Sequence, residues 1–390
     1  MRTLLLTILM TTARISVGFF GQRLRAQRFI YGLSQSELAE KAGLAASMIS
    51  RLEQNERAPG EDVIRQLCHL LEVTPKFFAT KLFYETIHED VHFRHRARTP
   101  ARERNIALGH ATLLFEVLDF FEANLRLPHV SLPSRPTVVD PTTIEHVACE
   151  ARACVGLPND RPLASLVGTL ESAGIPVVLS SETSECVDAF SVFRVPRPII
   201  VLNKKDSGSR VNFTGAHELG HLILHQGRET GDRETESEAD RFASAFLMPA
   251  RAFAREFPRS SRGTIDWQEL LPTKQRWRVS MQAIIRRAFD LGLISAIVYR
   301  RACQHASSQG WRRASPGEPG EFASDGGAFI SDCFDVAART RGVQAKAIAE
   351  RLAWPVPLLR RVVCANEDDP RFSEGTREQG MGAVLFIASR

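Results

Sequence analysis

His217 and His221 stand four residues apart in "FTGAHELGHLILH", and Glu218 directly follows the first of them. On a helix of about 3.6 residues per turn the two imidazoles share one face and can reach one ion. This pattern suits metal-assisted hydrolysis. Zinc lowers the pKa of a bound water to roughly 7, and a neighbouring carboxylate, here Glu218, then takes its proton as the general base. A catalytic zinc needs a third protein ligand. His225 continues the four-residue series, but the rise from His217 is about 12 Å while Zn–N bonds are about 2 Å. His225 therefore reads as a helix-end residue or one that backs a ligand. The following acidic stretch offers Glu234, Glu236, Glu238 and Asp240. Glu236 and Asp240 lie four apart on one face, a spacing that allows a carboxylate ligand plus a second carboxylate orienting a ligand histidine. Glu238 points elsewhere and is the reserve ligand. The expectation is one zinc ion per chain.

Two helices must present these groups. Phe213, Leu219, Leu222, Ile223 and Leu224 supply apolar packing for the first, and the second spans about Glu234 to Leu247, before Pro249. Upstream, Pro141 to about Val155 and "PLASLVGTLESAG" read as helices, the latter ended by Gly174. "IPVVLS", "VDAFSVFR" and "RPIIVLN" are rich in Val, Ile and Phe between polar turns and read as strands. Downstream, "WRVSMQAIIRRAFDLGLIS" reads as helical to about Leu291, and "GWRRASPGEPGEFASDGG" as a Gly/Pro/Ser-rich loop. A further helical pair falls around "VQAKAIAERLAWPVPLLRRVV". No internal repeat is evident.

A second constellation lies at the front, in "GLSQSELAEKAGLAASMISRLEQNERAP". Ser34 and Glu37 form a capping-box pattern, Leu38 and Ala39 face inward, and Gly43 permits a turn. A second helix from about Ala45 to Gln54 buries Ile49 and Leu52. It leaves Ala46, Ser47, Ser50 and Arg51 to enter a major groove. Gln35 is placed for a phosphate, and Arg23, Arg25 and Arg28 add positive charge. A small bundle for protein contacts is the plainer alternative. Between the two constellations, Arg98–Leu127 reads as an amphipathic helix with Ile106, Leu113, Leu114, Val117, Leu118 and Phe121 on one stripe. "LPHVSLPSRPTVVDP" then reads as a semi-rigid spacer that leaves the halves free to act on neighbouring molecules.

The motifs carry two resemblances. "RVNFTGAHELGHLILH" followed by "ETESEADRFASAFLMP" resembles the ImmA/IrrE family of metallopeptidases over roughly residues 140–255. The matching positions are Arg210, Phe213, Thr214, His217, Glu218, Gly220, His221, Glu236, Ala239, Asp240, Phe242, Ala243 and Leu247–Pro249. The resemblance favours Glu236 over Glu238 as third ligand. It implies a minimal gluzincin-like core, a small sheet against two metal-bearing helices. The front stretch resembles the XRE (lambda-repressor-like) helix-turn-helix family. Alanines at 45 and 46, where many relatives carry polar side chains, imply modest sequence specificity. The order of the parts resembles fused XRE/ImmA-IrrE regulators, which implies cleavage of a repressor-type regulatory protein in phage-immunity, mobile-element or stress-response control.

The 390 residues are 44% hydrophobic and 24% charged, with net charge +5, enough chain for two or three globular domains. Seven scattered cysteines without a C-x-x-C pair suggest neither a disulfide framework nor a zinc knuckle and point to a reducing cytoplasm. The apolar run from Leu4 to Met10 is too short to span a membrane. Residues 1–20 read as an added arm or a start assigned too early, in preference to a signal peptide.

The expected fold class is α+β and mostly helical: an all-α helix-turn-helix domain at 21–85, a helical connector and Pro-rich linker at 86–139, and a gluzincin-like zinc peptidase domain with a small sheet at 140–255. A helical extension at 256–315 and an unassigned region at 316–390 follow. The expected activity is zinc-dependent endopeptidase action by a DNA-binding regulator. Its expected partners are double-stranded DNA and a protein substrate, a repressor encoded nearby, with a homodimer allowed and no membrane. The alternatives are a transcription factor whose peptidase-like domain only senses or binds a partner, and an antitoxin-like DNA binder.

Overall fold

The computed structural model describes residues 18–93, 99–180, 189–228, 230–258, 264–311 and 317–373. The front unit is five short helices: α1 (Gly21–Ile30), α2 (Gln35–Lys41), α3 (Ala46–Glu53), α4 (Glu61–Leu70) and α5 (Pro75–Ala79). The capping box at Ser34 and Glu37 is present, with Ser34 Oγ accepting from the Glu37 N–H at 3.1 Å and Glu37 accepting from the Ser34 N–H at 2.7 Å. Leu38, Ile49 and Leu52 are fully buried. The unit begins before Gly21, because Phe19 packs on Phe78 and the Phe20 N–H bonds the Phe78 carbonyl. Residues 1–17 of the expected arm lie outside the described residues.

β1 (Val91–Phe93) follows, within the stretch expected to be helical connector and linker. α6 (Ala101–Asn124) is shorter than the span expected from Arg98, a residue outside those described. α6 is not a one-striped surface helix. Every residue from Ala107 to Phe115 is buried, because α1 lies on one side and C-terminal helices lie on another. At Gly109 an added Cβ would come within 2.7 Å of the Ala26 carbonyl oxygen, so only glycine allows α1 this close.

α7 (Pro141–Cys154) and α8 (Leu166–Ser172) precede β2 (Val177–Ser180), β3 (Ala189–Val192) and β4 (Ile199–Asn203). The sheet order is β1-β3-β4-β2, with β2 parallel to β4 and the other pairs antiparallel. Alternation gives the sheet two apolar faces. Val177, Ala189, Ile200 and Leu202 join the core around α9 (Gly208–Leu224) and α10 (Arg233–Leu247). Val178, Phe190, Val192, Ile199 and Val201 join a second core shared with the front unit and α6.

α11 (Ala250–Glu256), α12 (Trp267–Trp277), α13 (Met281–Asp290) and α14 (Ala296–Ser308) extend the first core. The helix expected to run unbroken through "WRVSMQAII" is interrupted. Arg278 takes a left-handed φ of 52°, and Ser280 caps α13 through the Ala283 N–H. α15 (Phe329–Arg341), α16 (Ala345–Leu352) and α17 (Val356–Val362) complete the second core on the far face of the sheet.

The proline-rich stretch is not a free spacer. Val130, Leu132 and Val139 pack against the first core, Arg197 donates to the Pro128 carbonyl at 3.0 Å, and Arg135 donates to the Gln226 carbonyl. Front unit, α6, sheet and C-terminal helices therefore share one apolar interior, and the halves are docked.

Candidate metal centre and nucleic-acid interface

α9 delivers His217 and His221 to one face, and α10 packs across it. His217, His221 and Glu236 form the one histidine, cysteine or carboxylate group among the described residues with metal-holding geometry. Their ligand atoms make a triangle. The two Nε2 atoms are 3.0 Å apart, Glu236 Oε2 lies 3.6 Å from His217 Nε2, and Glu236 Oε1 lies 3.4 Å from His221 Nε2. Bonds of about 2.0–2.1 Å at tetrahedral angles would set ligand atoms about 3.3 Å apart. One ligand atom from each residue lies within 4.8 Å of the other two, a spacing that a shared ion could close.

The hydrogen bonds behind the ring nitrogens fix which atom keeps its lone pair. His217 Nδ1 lies 2.8 Å from Asp240 Oδ1, and a carboxylate can only accept there. His225 Nε2 lies 2.8 Å from Glu238 Oε2, so His225 donates from Nε2 and accepts at Nδ1. His221 Nδ1, 2.9 Å from that atom, is then the donor. With Nδ1 of each ligand ring engaged from behind, both rings turn Nε2 toward each other and toward Glu236. Burial, the largest cause, pushes the His225 pKa down to about 3, which keeps this ring neutral as the relay needs.

Glu238, the reserve ligand, is thus not in the triangle. It faces the next turn of α10's neighbour and braces His225, and burial raises its carboxyl above the usual range. Glu218 is fully buried beside the triangle, and Ser191 of β3 donates to its Oε2 at 2.6 Å. His92 of β1 stacks on His221 with ring centroids 5.4 Å apart and contacts Thr230 at 3.1 Å. Burial pushes the His92 pKa down to about 4. Neither Ser191, His92 nor Thr230 carried a sequence signal, because each arrives from a separate element.

At the front, Ala46, Ser47 and Arg51 are exposed on α3 and Ser50 is half-buried beside them. Other expected contacts are used internally. Gln35 donates to Glu53 at 2.8 Å. Arg28 is buried and bonds both oxygens of Glu53 at 2.6 and 3.0 Å. Arg23 is fully buried, with Nη1 2.9 Å from Glu116 of α6, and Arg25 pairs with Glu85 at 2.9 Å. These three arginines pair with interior or neighbouring acids.

A helix-turn-helix family model matches residues 24–78, and an IrrE N-terminal-like domain model matches residues 170–289. The chain is a fusion of these two domains. The second match begins in α8 and ends in α13, so it takes in the sheet strands β2 to β4, the two helices that bring His217, His221 and Glu236 together, and the extension behind them. No curated protein and no solved structure matched the chain. Among the described residues, no helix is long and apolar enough to cross a membrane.

Proposed function

We propose that this helix-turn-helix/IrrE-like fusion is a DNA-binding regulator with a zinc-dependent endopeptidase site that cleaves a repressor-type protein. The observation that carries the reading is the convergence of His217, His221 and Glu236 ligand atoms beside the buried Glu218 carboxylate. His217, His221 and Glu236 would hold zinc, and a bound zinc supplies Lewis acidity toward water and a peptide carbonyl. Asp240 orients His217, and the Glu238–His225 pair orients His221. Glu218 takes the proton of the attacking water and returns it to the leaving amine. Ser191 holds Glu218 in place through its Oε2. Ala46, Ser47, Ser50 and Arg51 of α3 would meet the major groove.

The deciding experiment incubates the purified, zinc-loaded chain with the repressor encoded beside its gene and compares wild type with Glu218→Gln. Cleavage by wild type alone supports the reading. Equal loss or equal survival of the repressor in both sinks it. A second reading, a sensor that binds metal without turnover, draws on one fact: His217, Glu218 and His221 are all 0% exposed. Metal uptake with an intact repressor in both samples would select it.

A further inference from the structure

We infer that α15–α17 are a second helix-turn-helix unit, and that its reading face serves to dock the front unit instead of DNA. The two units superimpose in sequence at one constant offset. Gly32 and Gly342, with φ of 60° and 63°, end the first helices. Ser34 and Gln344 are the N-caps of the second, and Ala45 and Pro355 those of the third. Leu38 and Ala39 match Ile348 and Ala349, and Ile49 and Leu52 match Leu359 and Val362, all buried. The turns agree bond for bond. Gly43 and Ala353 both take left-handed φ, 58° and 61°. The Gly43 N–H bonds the Glu40 carbonyl and the Ala353 N–H that of Glu350; the Leu44 N–H bonds Ala39 and the Trp354 N–H bonds Ala349. Residue identity hides the repeat because the turn glycine has become alanine, at a strain that the buried Trp354 helps to hold.

The reading positions differ in use. Ala46 and Ser47 are exposed, and Arg51 is 54% exposed. Their counterparts face inward: Val356 packs on the shared core, and Arg361 donates to the Ile30 carbonyl at 3.2 Å with its guanidinium 5.1 Å above the Tyr31 ring. Pro357 alone of the counterparts is exposed. The second unit also grips the rest of the chain, through Phe334 on Phe121 of α6 and Lys204 on Asn366. It is a wedge that fixes the front unit against the sheet, and each chain presents one reading helix.

Two measurements on the full chain decide this. With a random-sequence 30-base-pair duplex at low salt, Pro357→Glu should change affinity less than twofold. A tenfold loss would make α17 a DNA reader and overturn the inference. In hydrogen exchange, Arg361→Ala should speed the amides at the end of α1 at least tenfold, and Arg361→Lys should restore part of the protection. Unchanged exchange in Arg361→Ala would overturn the docking.

We also infer, resting on the peptidase reading above, that β1 fills the strand position a peptide substrate needs. A sheet edge binds an extended peptide through the same main-chain bonds that pair strands. The edge of β3, whose Ser191 holds Glu218, is already paired with Val91–Phe93, and His92 sits opposite Ser191 over His221. Substrate entry requires this strand to leave. Val91→Asp, which places a charge in a site 3% exposed, should release it. The exchange of the β3 amides should then rise at least tenfold, and a synthetic peptide copying residues 85–93 should bind the variant and not the wild type. Equal peptide binding by both proteins, or none by a variant whose β3 amides are freed, overturns the inference. Repressor cleavage is scored separately and bears on the peptidase reading alone.

Discussion

The metal centre and the reading helix hold their polar groups in opposite ways. At the centre each ligand ring is held from behind at Nδ1: His217 by Asp240, and His221 by His225, itself braced by Glu238. The rings are buried, so their directions are fixed by the packed chain itself. On α3 Ser47 and Arg51 are exposed, and Arg51 pairs with Glu56 at 3.8 Å. A buried site spends its geometry in advance, whereas a surface site leaves it to the partner. The same division runs through the front unit's arginines, since Arg23 and Arg28 are interior and Arg51 is not.

The largest expected effect breaks the centre outright. Wild type should carry about one zinc per chain, and His221→Ala should reduce it to background by elemental analysis. Full occupancy in the variant would place the ion elsewhere. Next comes the interior arginine. Removing one partner of a buried ion pair costs about 3–5 kcal/mol, so Arg28→Ala should lower unfolding stability by that amount in urea melts, while Arg51→Ala should stay within about 0.5 kcal/mol. Similar losses for the two would erase the contrast between interior and surface charge.

Asp240→Asn sharpens the comparison from the other side. Residues that brace a ligand histidine typically account for about 10–100-fold in metal affinity, so chelator competition should show a drop in that range. No change would mean that His217 is oriented by packing alone. Arg51→Ala should instead reduce the salt slope of DNA binding by about one unit. An unaltered slope would remove Arg51 from the interface.

The smallest effect concerns the cap that starts the helix-turn-helix. Ser34→Ala should cost about 1 kcal/mol, read by thermal melting. Its partner Glu37 has a carboxyl held below the usual range by hydrogen bonds from the Ser34 backbone and hydroxyl. Its contribution is therefore complete above the ordinary carboxylate pKa and fades as pH falls through the lowered value. A wild-type and Glu37→Gln pair whose stability difference stays flat across that acid range would rule the cap out.

Much of the local structure was legible. The capping box, the buried Leu38, Ile49 and Leu52, and the bounds of α7, β4 and α10 follow from signals that lie within a few residues of one another. The pair at 217 and 221 was legible for the same reason, because four residues on a helix fix relative direction. The roles of Arg23 and Arg28 were misread as surface charge. Their partners Glu116 and Glu53 lie far along the chain, and a basic residue looks alike in sequence whether it faces phosphate or a buried carboxylate. The second helix-turn-helix was hidden because its buried positions tolerate any apolar residue of fitting size, so Ile348 and Leu359 replace Leu38 and Ile49 without a shared letter.

By itself the sequence determined helices, caps, turns and the direction of side chains within each element, since these depend on contacts a few residues long. It therefore set the two histidines with their glutamate and the reading helix. Only the tertiary structure decided that Glu238 braces His225, that β1 covers β3, and that the proline-rich stretch is docked. Those choices depend on which surfaces exclude water together. That is a property of the whole packed chain, because burial of one face is favourable only when a second face arrives to cover it.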